Sequence, residues 1–280
     1  MALALLAAVL HALFGALQKG RDDPWVTRAA IDASYGLIAV PFALFVVPWP
    51  EPHMWKIFAG AFVIHAGYKV MQAMTYDRGA YTVVYPVTRG TGPLFTVLAA
   101  GVIFGEHFRP VQWLGLMMLV GGILGLAGYN LWRSGAARGM VPGLAFAFVT
   151  GGFVAAYTTY DAWGIRATAD PFTFLAWFFM IDGAFIPLIT VQRWRNLDRA
   201  RVGPLLKRGV FGAFVAYFSF GSVMLATRLD RVGEAAALRE TSTVFAALIG
   251  WLVLGEKVGP LRTGLMAVIA AGAVVMEAGA

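Results

Sequence analysis

Residues 87–110 read VTRGTGPLFTVLAAGVIFGEHFRP, and residues 237–260 read ALRETSTVFAALIGWLVLGEKVGP. Arg89 aligns with Arg239, Thr91 with Thr241, Phe95 with Phe245, Gly105-Glu106 with Gly255-Glu256 and Pro110 with Pro260, all at one offset of 150 residues. Chance likeness between apolar helices accounts for any single match but not for a series in one register. Other matches fall at slightly different offsets, as loop insertions allow. Gly60-Ala-Phe-Val63 recurs as Gly212-Ala-Phe-Val215, and Asp23-Pro24-Trp25 as Asp170-Pro171-Phe172. The Asp-Pro pairs have a mechanical meaning, because Asp at the N-cap followed by Pro at the first helical position starts a helix. A competing match, Ile31-Asp32 with Ile181-Asp182, asks for a different offset within the same helix and is discounted. The chain therefore divides into a first repeat, 1–134, and a second, 139–280.

Composition says what these repeats are made of. Apolar residues supply 59% of the 280-residue chain and charged residues 13%, where a soluble fold needs about 25% charged residues for its surface. Mean hydropathy is +0.71, so most of the exterior must face lipid. A transmembrane helix needs about 20 mostly apolar residues. The sequence predicts ten such helices, at about 2–19, 25–47, 54–75, 79–104, 110–132, 140–162, 171–191, 205–228, 232–254 and 260–278. These continuous runs, joined by short Gly-, Pro- and charge-rich turns, do not have the alternation of a β-barrel. The first run resembles a signal peptide, but it lacks a basic n-region and a clear small-x-small cleavage site, so it reads as a retained helix. There are no cysteines, which excludes disulfides, thiolate metal sites and Cys nucleophiles.

The net charge of +7 is a statement about topology. If both termini share one side, that side carries Lys56, Arg109, Arg166, Arg228 and Arg231. The other carries fourteen basic residues, among them Arg28 and six from the single loop around residues 193–208. The positive-inside rule puts the richer side in the cytoplasm and both termini outside, in the plasma (inner) membrane. Lys69, Arg89 and Arg239 remain inside spans.

Five helices per half is an odd number, so the second half must enter the membrane from the opposite side. The expected fold is therefore all-α and integral to the membrane, with ten transmembrane helices as two inverted five-helix repeats. Secondary transporters commonly have this symmetry, with the substrate site at the midplane between the repeats. The Gly-Glu-x-x-x-Pro element closing the fourth and ninth spans, duplicated in two five-helix halves, resembles the drug/metabolite transporter superfamily, and within it the EamA-type exporters. The resemblance covers essentially the whole chain. It implies a ten-helix exporter of small metabolites, often amino acids, with a central cavity bordered by both halves and the fifth helix of each half at the periphery.

A charge at the bilayer centre costs about 2.5–3.5 kcal/mol on insertion scales, so polar residues inside spans face protein or water. His65, Tyr68, Lys69, Gln72 and Tyr76 form one stripe of the third span, the pattern of a helix lining a cavity; the plainer alternative is a packed helix contact. Tyr81, Tyr85, Thr88 and Arg89 share a face of the fourth span, where Pro86 interrupts the hydrogen-bond ladder. Arg89 and its repeat mate Arg239 are expected near the pseudo-symmetry axis. There, two guanidinium groups bind a carboxylate through forked hydrogen bonds, or each pairs structurally, Arg239 with Glu240 of a neighbouring protomer or with Asp182. Asp182 stands alone in the seventh span, as a proton-exchanging carboxylate or the partner of a buried Arg. Glu106 and Glu256 read as capping or loop residues, and Trp163 as part of an interfacial aromatic belt.

The residues assigned to the substrate cavity are His65, Tyr68, Lys69, Gln72, Tyr85, Arg89, Tyr157, Tyr217, Arg239 and Glu240, with Asp182 as the site of proton coupling. Tyrosines on these faces favour apolar or aromatic amino acids, since they stack on a flat substrate and hydrogen-bond its polar end. The small-residue cluster Gly121, Gly122, Gly125 and Gly128 reads as close packing within the chain in preference to a homodimer face. Gly90-x-Gly92 has no downstream Lys-Ser/Thr and is no phosphate loop. The four histidines lack metal spacing, and no catalytic triad is readable. No cofactor, metal or nucleic acid is expected. The partners are a small-molecule substrate and the bilayer, the chain being a monomer or homodimer. The rival reading is an integral membrane enzyme or lipid-handling protein whose polar stripes meet a lipid headgroup.

Overall fold

The computed structural model describes residues 2–18, 23–79, 81–134, 140–245, 248 and 259–280. Among them every regular element is helical. We number the helices α1 (Ala2–Gln18), α2 (Pro24–Phe45), α3 (Met54–Arg78), α4 (Tyr81–Phe104), α5 (Pro110–Ser134), α6 (Val141–Ala167), α7 (Pro171–Asp182), α8 (Phe185–Ile189), α9 (Val191–Arg195), α10 (Arg199–Leu229), α11 (Val232–Arg239) and α12 (Pro260–Ala278). Among the described residues, seven stretches are long and apolar enough to cross a membrane: Trp25–Phe45, Val83–Phe104, Pro110–Arg133, Val141–Ala167, Pro171–Ile189, Arg199–Leu229 and Pro260–Ala278. The protein is thus a multi-pass membrane protein, and its exposed Leu37, Phe45, Val102 and Phe218 suit a lipid-facing surface. Helix α3 is 25 residues long, and its polar stripe sets it apart from those seven.

The helix starts follow from the sequence. Asp23 Oδ1 accepts from Trp25 N at 2.9 Å, and Asp170 Oδ2 from Thr173 N at 2.9 Å, so both Asp-Pro pairs are N-caps with Pro in the first turn. The Gly-Glu-x-x-x-Pro element is also legible in atoms. Gly105 takes a positive φ of 65°, which only glycine adopts freely, and this ends α4. Glu106 then reaches across to the first turn of α11, where its carboxylate accepts from Val232 N at 2.6 Å and Gly233 N at 3.1 Å. Pro110 opens α5. The capping role expected for Glu106 is the one it has, and the helix it caps is α11. Glu256, its mate, lies outside the described residues, as do Gly255 and Lys257.

Two expected helices are interrupted. The run 171–191 breaks at Gly183-Ala184, because Pro187 offers no N–H to the Gly183 carbonyl and its ring crowds that carbonyl. The ninth span breaks after Arg239: Glu240 N, Thr241 N and Thr243 N bond to carbonyls three residues back, the tight 3₁₀ geometry, before helix resumes at 242–245.

The packing brings α3 and α4 against α6, α1 against α10 and α11, α2 against α7 and α10, and α5 against α12. The last contact needs small residues: a Cβ on Gly115 would lie 2.6 Å from the Gly272 carbonyl oxygen, and one on Gly272 2.7 Å from that of Gly115. Gly122 and Gly125 of the small-residue cluster touch α12 through Ile269 and Leu265, whereas Gly121 and Gly128 face open space. One end of the bundle is tied by arginines at helix C-termini, where carbonyls lack partners. Arg228 donates to the carbonyls of Ile165, Thr168 and Ala169 at the end of α6. Arg166 donates to those of Thr227 and Asp230 at the end of α10. At the same end Glu51 accepts from Ala169 N at 2.9 Å, and that backbone bond holds its carboxyl below the usual range. Asp23–Arg193 (2.6 Å) and Asn130–Arg262 (2.8 Å) tie helix ends together at the other end.

Candidate functional site

Three charged clusters lie inside the helices. In the first, Lys69 of α3 is enclosed by acceptors: Asp32 Oδ2 at 2.8 Å, Asp182 Oδ2 at 2.9 Å, the Asp182 carbonyl at 3.0 Å and Tyr35 OH at 3.1 Å. Tyr35 OH also donates to Asp182 Oδ2 at 2.5 Å. Arg28 Nε meets the second oxygen of Asp32 at 2.6 Å. The break after Asp182 leaves its carbonyl without a helical partner, and Lys69 uses it. Asp182 is therefore not alone: it is held by a buried lysine, where the sequence reading named a buried Arg as its partner.

This cluster also corrects the charge bookkeeping. Arg28 sits in α2 with its side chain 13% exposed, so it belongs to the intramembrane network and not to the loop cations. The Asp32/Asp182 correspondence, discounted above, joins two carboxylates that hold the same lysine. Arg28, Asp32 and Tyr35 were missed as site residues, although their i, i+4, i+7 spacing is a helical stripe.

The second cluster joins the two repeat-related arginines. Arg89 Nε lies 2.7 Å from Glu240 Oε2, and Arg239 Nη2 lies 3.4 Å from Glu240 Oε1. Arg89 also donates to Ser242 Oγ at 3.3 Å. All three charged residues are buried, Glu240 completely. The arginines do converge, and the carboxylate between them is the chain's own Glu240, neither a neighbouring protomer's glutamate nor Asp182. Two cations and one anion leave an excess positive charge. The Tyr85 ring lies under Arg89 and that of Tyr157 under Arg239, each 5.9 Å away, close enough for cation–π attraction.

Between these lies the third, His65 Nε2 to Asp161 Oδ2 at 2.8 Å. The His65 ring packs on Tyr157 at 4.8 Å, Tyr157 packs on Tyr68 at 4.9 Å, and Gln72 donates to Tyr68 OH at 2.6 Å. Asp161, one helical turn after Tyr157, was not among the residues assigned from the sequence. Tyr217 stands apart: its ring meets Phe179 at 4.9 Å, and it lines an apolar cavity of about 250 Å³ with Tyr35, Ile38, Phe42 and Phe214 on the side of the bundle. No group of His, Asp and Glu capable of holding a metal occurs among the described residues.

Two small cavities, each about 10 Å³, adjoin the clusters. One is lined by Tyr157, Thr158, Asp161 and Arg239, the other by Arg28, Tyr35, His65, Tyr68 and Asp182, and Phe220 borders both. Each has room for about one water.

The chain resembles known transporters. A described but uncharacterized transporter of Synechocystis sp. is 27% identical over 189 residues, 61% of this chain. The match spans about half, 55%, of that relative's length. A solved crystal structure superposes with a TM-score of 0.78 at 19% identity, covering 98% of this chain and 95% of the other, which establishes a shared fold. The profile of the EamA-like transporter family matches residues 1–128 and again 141–277. With nearly its whole length covered by that profile, the chain belongs to the EamA-like transporter family.

Proposed function

We propose that the protein is a secondary transporter of the inner membrane that exports small metabolites, amino acids foremost, by alternating access between two inverted five-helix repeats. The observation that carries this reading is the meeting of Arg89 and Arg239, 150 positions apart in the sequence, at one buried carboxylate. A surplus of buried positive charge where two corresponding helices meet suits a substrate with an acidic group. Broken helices at Asp182 and Arg239–Glu240 add support, since transporters build midplane sites from such interruptions.

The packing pattern supports the repeat. Exchanging the halves turns the α4–α6 contact into α11–α1 and the α3–α6 contact into α10–α1, both present, and leaves α2–α7 and α5–α12 as they are. The family profile fits each half separately. Asp182 in this reading is the counter-ion of Lys69, and it exchanges a proton only in a state where that pair is open.

The test is flux. Purified protein in proteoliposomes should give saturable, counterflow-competent transport of amino acids, and its absence across amino acids and related metabolites overturns the substrate claim. Lys69→Ala, Arg89→Ala and Arg239→Ala should each reduce flux at least about tenfold, roughly the loss of one charge-assisted contact. Normal transport by three folded variants would remove these residues from the site.

A further inference from the structure

The small cavity between α6, α10 and α11 gathers unsatisfied polar atoms. Tyr157 OH, Thr158 Oγ1, Asp161 Oδ1 and Arg239 Nη1 are all buried and have no hydrogen-bond partner among the described residues. All four side chains line this one cavity. Buried polar groups in folded proteins nearly always find partners, so four open ones around a single space point to something that enters it.

The charges say what. Asp161 gives one oxygen to His65 and keeps the other open. Arg239 gives two nitrogens, Nε and Nη2, to Glu240 Oε1 and keeps the third, Nη1, open. Opposite charges bordering the same cavity would ordinarily pair with each other, yet each is held by a different neighbour. Arg89 shares Glu240, so Glu240 does not cancel the charge of Arg239. The result is a fixed guanidinium and a fixed carboxylate across a gap, the complement of a molecule carrying both charges in reverse order.

We propose that this cavity is the closed form of a zwitterion site. Arg239 takes the ligand's carboxylate, Asp161 Oδ1 takes its ammonium group, and the Tyr157 and Thr158 hydroxyls complete the hydrogen bonds. His65 fixes the Asp161 carboxylate, and Arg89 with Glu240 fixes Arg239. The cavity opens by displacement of Phe220 and Met224 on its apolar wall, Met being the more adaptable of the two. This rests on the amino-acid reading above and adds the groups that distinguish an amino acid from a simple acid or amine.

The probes are phenylalanine, phenylpropionate (the same molecule without its amine) and phenethylamine (without its carboxylate). Wild-type protein in proteoliposomes should transport phenylalanine and be thermally stabilised by it, with each analogue weaker by about tenfold or more, because charged groups of a polar site are then left unpaired. Asp161→Asn keeps the side-chain shape. It should bring phenylalanine down to the level of phenylpropionate while changing phenylpropionate less than about threefold. Thr158→Val, a smaller disturbance, should weaken phenylalanine severalfold and is the second reading if Asp161→Asn fails to fold. Discrimination against both analogues that survives Asp161→Asn and Thr158→Val overturns the site but leaves amino-acid export standing. Equal handling of all three probes by wild type overturns the zwitterion assignment in the same way. Absence of flux for every amino acid overturns the export reading and this site with it.

Discussion

Lys69 shows how much a single intramembrane residue can hold. Its ammonium group satisfies Asp32, Asp182, a helix-break carbonyl and Tyr35 together. Removing it leaves Asp182 without its cation, and breaking a buried pair from one side costs about 3–5 kcal/mol. Lys69→Met should therefore lower stability by about that amount in detergent, read from denaturation. Adding Asp182→Asn should recover more than about 1 kcal/mol, since the two changes share one interaction. A Lys69→Met loss no greater than that of a surface lysine would contradict the network. The sequence made Lys69 and Asp182 conspicuous because each is costly in a span, but it did not join them. Their partners come from helices separated by 37 and 113 positions, and periodicity only relates residues of one helix. Arg28 was misplaced because a cation near a helix end looks the same whether it meets water or a buried carboxylate one turn on.

At the scale of elements, the first copy of the Gly-Glu-x-x-x-Pro stretch does three mechanical tasks. Glycine stops α4, glutamate caps α11 and proline starts α5. The cap joins two elements 126 positions apart, so it fixes the entry of the helix that carries Arg239. Glu106→Ala removes two backbone bonds at a helix N-terminus, and such caps are worth about 0.5–2 kcal/mol. The variant should lose stability in that range. It should also weaken transport more than a comparably destabilised variant remote from the site, such as buried Ile269→Val (about 0.5–1.5 kcal/mol), because α11 positions the Arg239–Glu240 pair. If transport follows stability alone, the cap has no part in placing the site. Helix existence was readable from apolar runs and Asp-Pro starts, whereas the breaks were not. Pro187 is visible in the sequence, yet prolines within α2 and α4 leave those helices continuous, so only the surrounding packing decides which proline interrupts.

For the whole molecule, the described loops fall at two ends of the bundle. Glu51, Glu106, Arg166 and Arg228 tie together the end that includes the turns before α3, α5, α7 and α11. Asp23–Arg193 and Asn130–Arg262 belong to the other end. The arginines of the first end are largely spent on helix carbonyls, while the second holds the basic loop around α9. That contrast strengthens the charge argument for orientation, because a retained Lys/Arg excess on one side is what the anionic cytoplasmic leaflet attracts. The protein contains no cysteine, so single introduced thiols report sidedness without background. Asn196→Cys, after α9, should react with a membrane-impermeant maleimide only after the cells are opened. Pro52→Cys, between α2 and α3, should react in intact cells; both positions are exposed. The opposite labelling pattern would invert the molecule's orientation, whereas labelling of both sites in intact cells would show that the two loops do not lie on opposite sides of the membrane.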